Sequence, residues 1–459
     1  MLGNAFILKD RVFYRKTLVL MLPAIIQQLI TVGINFMDNL MIGSFGETTI
    51  AAASFGNQFY QFFQFVCMGL GSGAVVMSSQ FWGRRDNASM RISAAIALRV
   101  TFVICAVFTL VSVIWPQVIL RIFTNDAAVV EVGTPYMLLL GTTFILAGLT
   151  SSATYLLRSA EQVTVPLIGS GLSFLLNILF NWIFIFGKWG APALGLVGAA
   201  VGTVIARVFE FLFIFGYFLF IDKRFDFRLK HFLLSGKTLR AEYIRYSVPV
   251  LISDTLLGLS LSMVSVIYGH VGAEMSAANS ITASICQLIA VTTTGMAGAS
   301  AVVVGNTIGA GDIPRAKREG NTYLALGFLL GAVLILPLAL LEGPYLNLYA
   351  VQDETRELAH MMMLTTYFML PMQGLAYVVS KGVLRGGGDS RFLLLADSSL
   401  VWFFSLPLGA LSGLVWGLSP FWTYLFLRLE FPLKGIVCLI RYCSGKWIHT
   451  IDGLEPADK

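Results

Sequence analysis

The chain has 459 residues, 57% of them hydrophobic and 12% charged, with a mean hydropathy of +0.79. A soluble domain carries about 25% charged residues, so this composition excludes a soluble enzyme or binding module and points to a polytopic membrane protein. The net charge of +6 is spread over alternate loops, which makes it a topology signal and leaves no nucleic-acid partner to expect.

A membrane-crossing helix needs about 20 predominantly apolar residues. Twelve such segments follow one another, at roughly 17–43, 50–82, 93–115, 133–157, 163–187, 194–221, 243–270, 279–308, 321–342, 358–384, 391–414 and 420–441. The amino-terminal "LKDRVFYRK" is basic, but the apolar run behind it is too long for a signal-peptide core, so it is expected to remain as the first helix. Lys and Arg collect at Lys9–Lys16, Arg84–Arg91, Arg158, Lys223–Arg245, Arg315–Arg318, Arg385–Arg391 and Arg441–Lys446, whereas the opposite loops hold only Arg121, Lys188 and Arg356. The positive-inside rule then puts both termini in the cytoplasm of a multi-pass cell-membrane protein. Cys67, Cys105, Cys286, Cys438 and Cys443 form no C-x-x-C pair, so they read as small thiols and not as a metal or disulfide framework.

The two halves repeat. With Pro23 set against Pro249, Met37 meets Met263, Gly43 meets Gly269, Gly69 meets Gly295, Gly83 meets Gly309 and Asp86 meets Asp312, and "AAAS" (51–54) meets "AANS" (277–280). Farther on "LLR" (156–158) meets "VLR" (383–385), with the offset changed by one. Six helices per half make the repeats parallel, related by a pseudo-two-fold axis along the membrane normal. The expected fold is therefore an all-α membrane protein of 6+6 helices: an amino-terminal lobe over 1–221, a basic cytoplasmic linker over 222–240, a carboxy-terminal lobe over 241–443 and a tail over 444–459. Two equal bundles are a usual substrate of alternating access.

Ionisable residues inside the membrane are functional candidates by default. The stretch "INFMDNLMIGSFG" carries Asn35 and Asp38 in the first segment, the fifth carries Asn177 and Asn181 four apart on one helical face, and the sixth carries Thr203 four after Ala199. A carboxylate, amide oxygens and a hydroxyl are hard ligands that suit Na⁺; the same carboxylate could carry a proton instead. The competing reading is plain interhelical hydrogen bonding, which explains either asparagine taken alone about as well but leaves a carboxylate without a basic partner. Arg207 and Glu210, three apart, read as an intrahelical pair. Asp254 and Asp397 lie within or at the ends of spans. Gln58, Tyr60 and Gln61 with Phe62 and Gln64 make the second segment polar and aromatic, as a substrate-lining wall would be, and Gln287, Tyr367, Met372 and Gln373 mirror this in the second half. "MMM" (361–363) reads as packing or lipid contact. "GGG" (386–388) and "GNTIGAGD" (305–312) read as turns, since neither matches a phosphate loop. No catalytic motif is present, so the protein is not expected to be an enzyme, and no cofactor is expected.

These features resemble the multidrug and toxic compound extrusion (MATE) family of the MOP flippase superfamily. The likeness rests on "MDNLMIGSFGETTIAAASFGNQ", "LNILFNWIFIFG", "GAAVGTV", "AANSI", "GASAVVVGNTIGAGD" and "GVLRGGGDSR" and covers essentially the whole chain. It implies a Na⁺- or H⁺-coupled antiporter, monomeric in the membrane lipid, that expels drugs and organic cations by rocking between outward- and inward-open forms. It also implies a cation site at Asp38, Asn177, Asn181, Ala199 and Thr203, each of which has a suitable residue here. The sequence departs from the branches of the family: the second helix-five position is Asn181 where one branch has Asp, and the second-lobe acids of another branch are replaced by Leu257 and Gly374. Asn35, Gln58, Tyr60, Gln61, Asp254, Gln287, Tyr367 and Gln373 remain the candidates for substrate contact. A lipid-linked precursor flippase of the same superfamily is the alternative; it calls for a strongly cationic interior, and the intramembrane cations legible here are few, namely Arg99, Arg207 and Arg428. An ion channel is the alternative of another class.

Overall fold

The computed structural model describes residues 7–451 apart from 235, 348 and 350. The described residues are predominantly helical and contain no strand. In chain order the helices are α1 (Arg11–Ile42), α2 (Glu47–Arg84), α3 (Asn87–Ile114), the short α4 (Pro116–Phe123), α5 (Ala127–Thr142), α6 (Phe144–Ser159), α7 (Thr164–Phe186), α8 (Leu196–Phe220), α9 (Lys237–Val271), α10 (Ala273–Gly309), α11 (Ile313–Leu346), α12 (Asp353–Tyr377), α13 (Ser390–Ser398), α14 (Leu406–Ala410), α15 (Pro420–Arg428) and α16 (Glu430–Cys443). Wide π turns run on from α12 over Val378–Leu384 and flank α14 over Ser399–Ser405 and Leu411–Val415. Among the described residues ten spans are long and apolar enough to cross a bilayer, and α5 with α6, bent by 42° at their junction, makes an eleventh if the pair is one span. The twelfth expected segment is α15 followed by α16, two shorter pieces meeting at Leu429.

Two compact units arise from these elements. Among the described residues one comprises 26–78 and 86–245; the other comprises 7–25, 79–85 and 246–451. The division follows packing and so departs from the boundary read from the repeat. The first turns of α1 belong with the second half because Thr17 Oγ1 meets Tyr323 Oη at 2.7 Å, Phe13 packs edge-on to Tyr323 and the Leu8 amide donates to Thr322 Oγ1. The basic linker belongs with the first half: Arg91 pairs with Asp226, Arg224 donates to the Ala160 carbonyl and Arg99 to that of Leu234.

Each unit has its own apolar core. In the first, Phe63 and Phe144 stack at 4.5 Å among Tyr60, Phe108, Leu120 and Met137. In the second, Tyr268, Ile281, Met362, Met363, Leu370 and Tyr424 pack together. The "MMM" run therefore divides: Met362 and Met363 are core, and Met361 is exposed. Apolar side chains such as Leu340, Phe368 and Phe403 stand exposed, as lipid-facing residues must.

The repeat read from sequence reappears as geometry. Asp86 caps α3 by accepting from the Ser89 amide, and Asp312 caps α11 by accepting from that of Arg315. Where the last turns of α2 meet α10, a Cβ on Gly83 would stand 1.9 Å from the Asn306 carbonyl oxygen and one on Gly309 would stand 1.9 Å from that of Gln80. Only glycine permits backbones this close. "GNTIGAGD" ends α10 and turns at Ala310–Gly311, and "GGG" runs into a turn at Gly387–Gly388, with Gly311 and Gly388 at φ of +83° and +85°. Gly309→Val is expected to cost about 1–3 kcal/mol by overpacking, seen as earlier loss of the monodisperse species when detergent-solubilised protein is heated. Gly43→Ala, which points into open space, is expected to leave that curve unchanged.

Candidate functional site

The site forms where α7 and α8 run unusually close. A Cβ on Gly198 would stand 2.3 Å from the Phe184 carbonyl oxygen, and one on Gly202 would stand 2.2 Å from Asn181 Oδ1. Small residues at these points let polar side chains of the two helices reach one another inside the membrane.

Along α7, Ser170, Ser173, Asn177 and Asn181 make one buried stripe, spaced as a helical face requires. Each finds a partner on a neighbouring helix. Asn181 Nδ2 donates to Asp38 Oδ1 at 2.5 Å and lies 3.3 Å from Asn177 Oδ1. Asn177 Nδ2 donates to Thr203 Oγ1 at 3.3 Å. Ser173 donates to the Ala206 carbonyl, and Ser170 donates to Glu210 Oε1 at 2.8 Å. Gln27 joins the lower end, donating to Ser170 Oγ and accepting from Arg158 Nη2, both at 3.0 Å. Four of the five predicted site residues, Asp38, Asn177, Asn181 and Thr203, are thus joined by one set of hydrogen bonds. Ala199 lies buried one turn before Thr203 on α8.

Asp38 is 8% exposed, yet among the described residues it forms no ion pair. Arg207, the basic residue that acts on it through space, is held by Glu210 at 2.7 Å and lies over the ring of Tyr60. The pairing of Arg207 with Glu210 expected from their spacing is what the structure shows. Asn181 Oδ1 is buried without a hydrogen-bond partner. A buried acceptor left unmatched costs about 1–3 kcal/mol. A carboxylate with an orphaned amide oxygen beside it, and a second amide oxygen and a hydroxyl within the same network, is a donor set that fits a small hard cation.

The second unit handles its acids differently. Asp254 accepts from Arg385 Nη1 and Nη2 at 3.0 Å each and lies 3.4 Å from Lys381 Nζ. Asp397 meets Lys434 Nζ at 2.5 Å and accepts from Ser253 Oγ. Lys381 and Lys434 were not among the intramembrane cations legible in the sequence, so that count was too low. Their signal was a lone lysine before glycine inside an apolar run, "SKG" and "LKG"; the two lie far apart in sequence and only folding shows that both answer acids.

The remaining substrate-contact candidates fall into two groups. Gln58, Gln61 and Gln287 are exposed and Asn35 is partly so. Tyr60, Tyr367 and Gln373 are buried: Tyr60 is a core residue whose hydroxyl accepts from Gln64, and Tyr367 donates to the Leu338 carbonyl. Asp254 is fully buried in its ion pairs.

A family profile described as MatE matches residues 23–183 and 249–411, once in each half. Over 443 residues the chain is 23% identical to a probable multidrug resistance protein NorM of Neisseria meningitidis, covering 94% of each chain. It is 24% identical to the multidrug resistance protein MdtK of Yersinia pseudotuberculosis, over 93% of this chain and 95% of that one. Among solved structures, a MATE protein in its straight conformation superposes with a TM-score of 0.85 at 18% identity, covering 95% of this chain and 97% of the other. A MOP-superfamily transporter from Pyrococcus furiosus superposes with a TM-score of 0.84 at 18% identity, covering 94% and 96%. The profile matched once in each half makes this chain a member of the MATE family of multi-pass membrane transporters, and the superpositions show the shared fold.

Proposed function

We propose that this protein is a cation-coupled antiporter that extrudes drugs and organic cations by alternating access, acting as a monomer in the cell membrane with both termini cytoplasmic. The observation that carries the reading is Asp38: a buried carboxylate that accepts from an amide and forms no ion pair among the described residues, next to the orphaned Asn181 Oδ1. Na⁺ or H⁺ entering from outside supplies the missing charge. For Na⁺, rotation of the Asn181 amide about its terminal bond would present Oδ1 in place of Nδ2, with Asn177 Oδ1 and Thr203 Oγ1 close by. For H⁺, the proton adds to the carboxylate and the amides serve as hydrogen-bond partners. Either neutralises Asp38 and so removes the penalty of a buried charge, about 2.5–3.5 kcal/mol on insertion scales. That difference is what a coupling ion needs in order to favour one conformation over another. One charge crossing the full membrane field contributes about 2.3 kcal/mol per 100 mV, and a tenfold ion gradient about 1.4 kcal/mol more.

The flippase alternative gains buried cations from Lys381 and Lys434. Each meets an acid of the same cluster, so they do not form the unmatched positive surface that a pyrophosphate would need.

Energised cells expressing the protein are expected to expel ethidium, with Asp38→Asn reduced to the level of cells lacking it; normal efflux by a correctly inserted Asp38→Asn protein would overturn the coupling role. Loss of wild-type efflux when Na⁺ is withdrawn at fixed pH identifies Na⁺; loss with a protonophore alone identifies H⁺. Gly202→Ala drives a Cβ into Asn181 Oδ1, and the concentration of coupling ion giving half-maximal efflux is expected to rise about tenfold, or 1.4 kcal/mol. Fused to the carboxy terminus, a fluorescent protein is expected to fold and an alkaline phosphatase to be inactive; the reverse pattern would refute the assigned orientation.

A further inference from the structure

The segment that joins α8 to α9 is folded against the protein on one side and open on the other. Phe225 and Phe227 are fully buried and pack on the ring of Phe218 in α8. A 3₁₀ turn over Leu229–Leu233 follows, and in it His231 and Phe232 pack on Phe227. Residues three apart eclipse in such a turn, so Lys230 and Leu233 share the outward side. Leu229 is 62% and Leu233 85% exposed. With Phe220 and Ile221, four open apolar side chains stand within one short segment.

The charges of this segment divide into two sets. Between 221 and 240 the chain carries six Lys and Arg against two Asp. Both acids are engaged by the protein: Asp222 accepts from the Phe225 amide at 2.8 Å, and Asp226 pairs with Arg91 and Arg228 at 2.6 and 3.0 Å. Arg224 and Arg228 are engaged too, donating to the carbonyls of Ala160 and Leu219. The other four, Lys223, Lys230, Lys237 and Arg240, are exposed, and their side chains make no ion pair or hydrogen bond among the described residues.

The neighbouring spans say what covers these groups. On α9, Lys237, Arg240 and Ile244 are spaced for one helical face, and all three are exposed. The charged stretch thus passes directly into an apolar exposed face, and on its other side α8 ends in the exposed Phe220 and Ile221. Both α8 and α9 are long and apolar enough to cross a bilayer, so the segment between them lies where hydrocarbon gives way to headgroups. Four unengaged cations beside open leucines at that level match a surface with phosphates outside and acyl chains within. Basic clusters of this size next to the end of a span are read by anionic lipids. An acidic soluble partner would account for the cations alone.

We propose that the α8–α9 segment is a surface anchor for anionic phospholipid. Leu229 and Leu233 enter the interface, and Lys223, Lys230, Lys237 and Arg240 meet headgroup phosphates. Three of these four are lysines, whose flexible stems let the ammonium follow a mobile phosphate; Arg224 and Arg228 instead hold fixed carbonyls with their planar forks. Each lysine at such a surface strengthens the contact about fivefold. No residue of the Asp38 network takes part, so the anchor stands or falls independently of the coupling reading.

Amide hydrogen exchange of the full chain in nanodiscs tests this, with phosphatidylcholine alone or mixed with phosphatidylglycerol. The two leaflets of a nanodisc are alike, so the result does not depend on which way the chain is oriented in a cell. Amides of 229–234 are expected to exchange more slowly in the mixed lipid, and the slowing to shrink as salt is raised. In the Lys230→Gln, Lys237→Gln double variant the slowing is expected to fall by the fivefold factor for each lysine removed, and Leu233→Ser is expected to exchange faster in both lipids. Equal exchange of the wild-type chain in the two lipids would overturn the proposal, as would a slowing that persists undiminished in the double variant. Soluble glycerol phosphate that slows exchange in phosphatidylcholine alone would overturn it too, by making the segment a site for free phosphate esters. Should the double variant not insert, the wild-type comparison between lipids decides.

Discussion

Within hydrocarbon, every buried charge must be matched by the protein, by a bound ion or by water, because the bilayer supplies none of these. That constraint organises both halves of the chain. In the second unit Asp254 and Asp397 are matched internally, by Arg385, Lys381 and Lys434. In the first, Glu210 is matched by Arg207, whereas Asp38 accepts from the Asn181 amide and forms no ion pair among the described residues. A buried ion pair is a fixed structural element, costly to break because separating it strands a charge. An acid met only by a dipole has no such fixed partner, so the same residue type stands in two different environments.

Close backbone approach makes the match possible. Thr203 can reach Asn177 because Gly198 and Gly202 let α8 lie directly against α7. A side chain at Gly202 would occupy the space of the Asn181 carbonyl oxygen. Comparable glycines, Gly83 and Gly309, serve the crossing of α2 with α10. Glycine is thus a positioning residue for the site, although nothing in its own chemistry suggests one.

The two halves keep a scaffold while changing its chemistry. The contact of Gln27 with Ser170 in one half is answered by that of Ser253 with Asp397 in the other, and Arg385, the counterpart of Arg158, pairs with Asp254 beside Ser253. An amide or hydroxyl replaced by a carboxylate demands a new cation nearby, and Lys381 and Lys434 supply it. The π turns that carry Lys381 toward Asp254 and follow Asp397 on the chain belong to the same divergence; such turns recur at functional sites because they re-aim side chains without breaking the helix.

Much was legible before folding. Long apolar segments, loop charges and glycines holding one register over the two halves specify membrane helices and a parallel repeat, since hydrocarbon thickness and helix rise leave few other ways to satisfy the backbone. Asp38, Asn177, Asn181 and Thr203 stood out because polar residues are costly there and were spaced for one helical face. Tertiary structure alone decided the rest. It showed that Tyr60 and Tyr367 are buried, that Asp254 is locked in ion pairs, that the first turns of α1 pack with the second half, and that Lys381 and Lys434 answer acids. Those outcomes depend on which faces of separate helices meet. A sequence records the spacing along one helix, but its partner across the bilayer is set by packing among segments hundreds of residues apart.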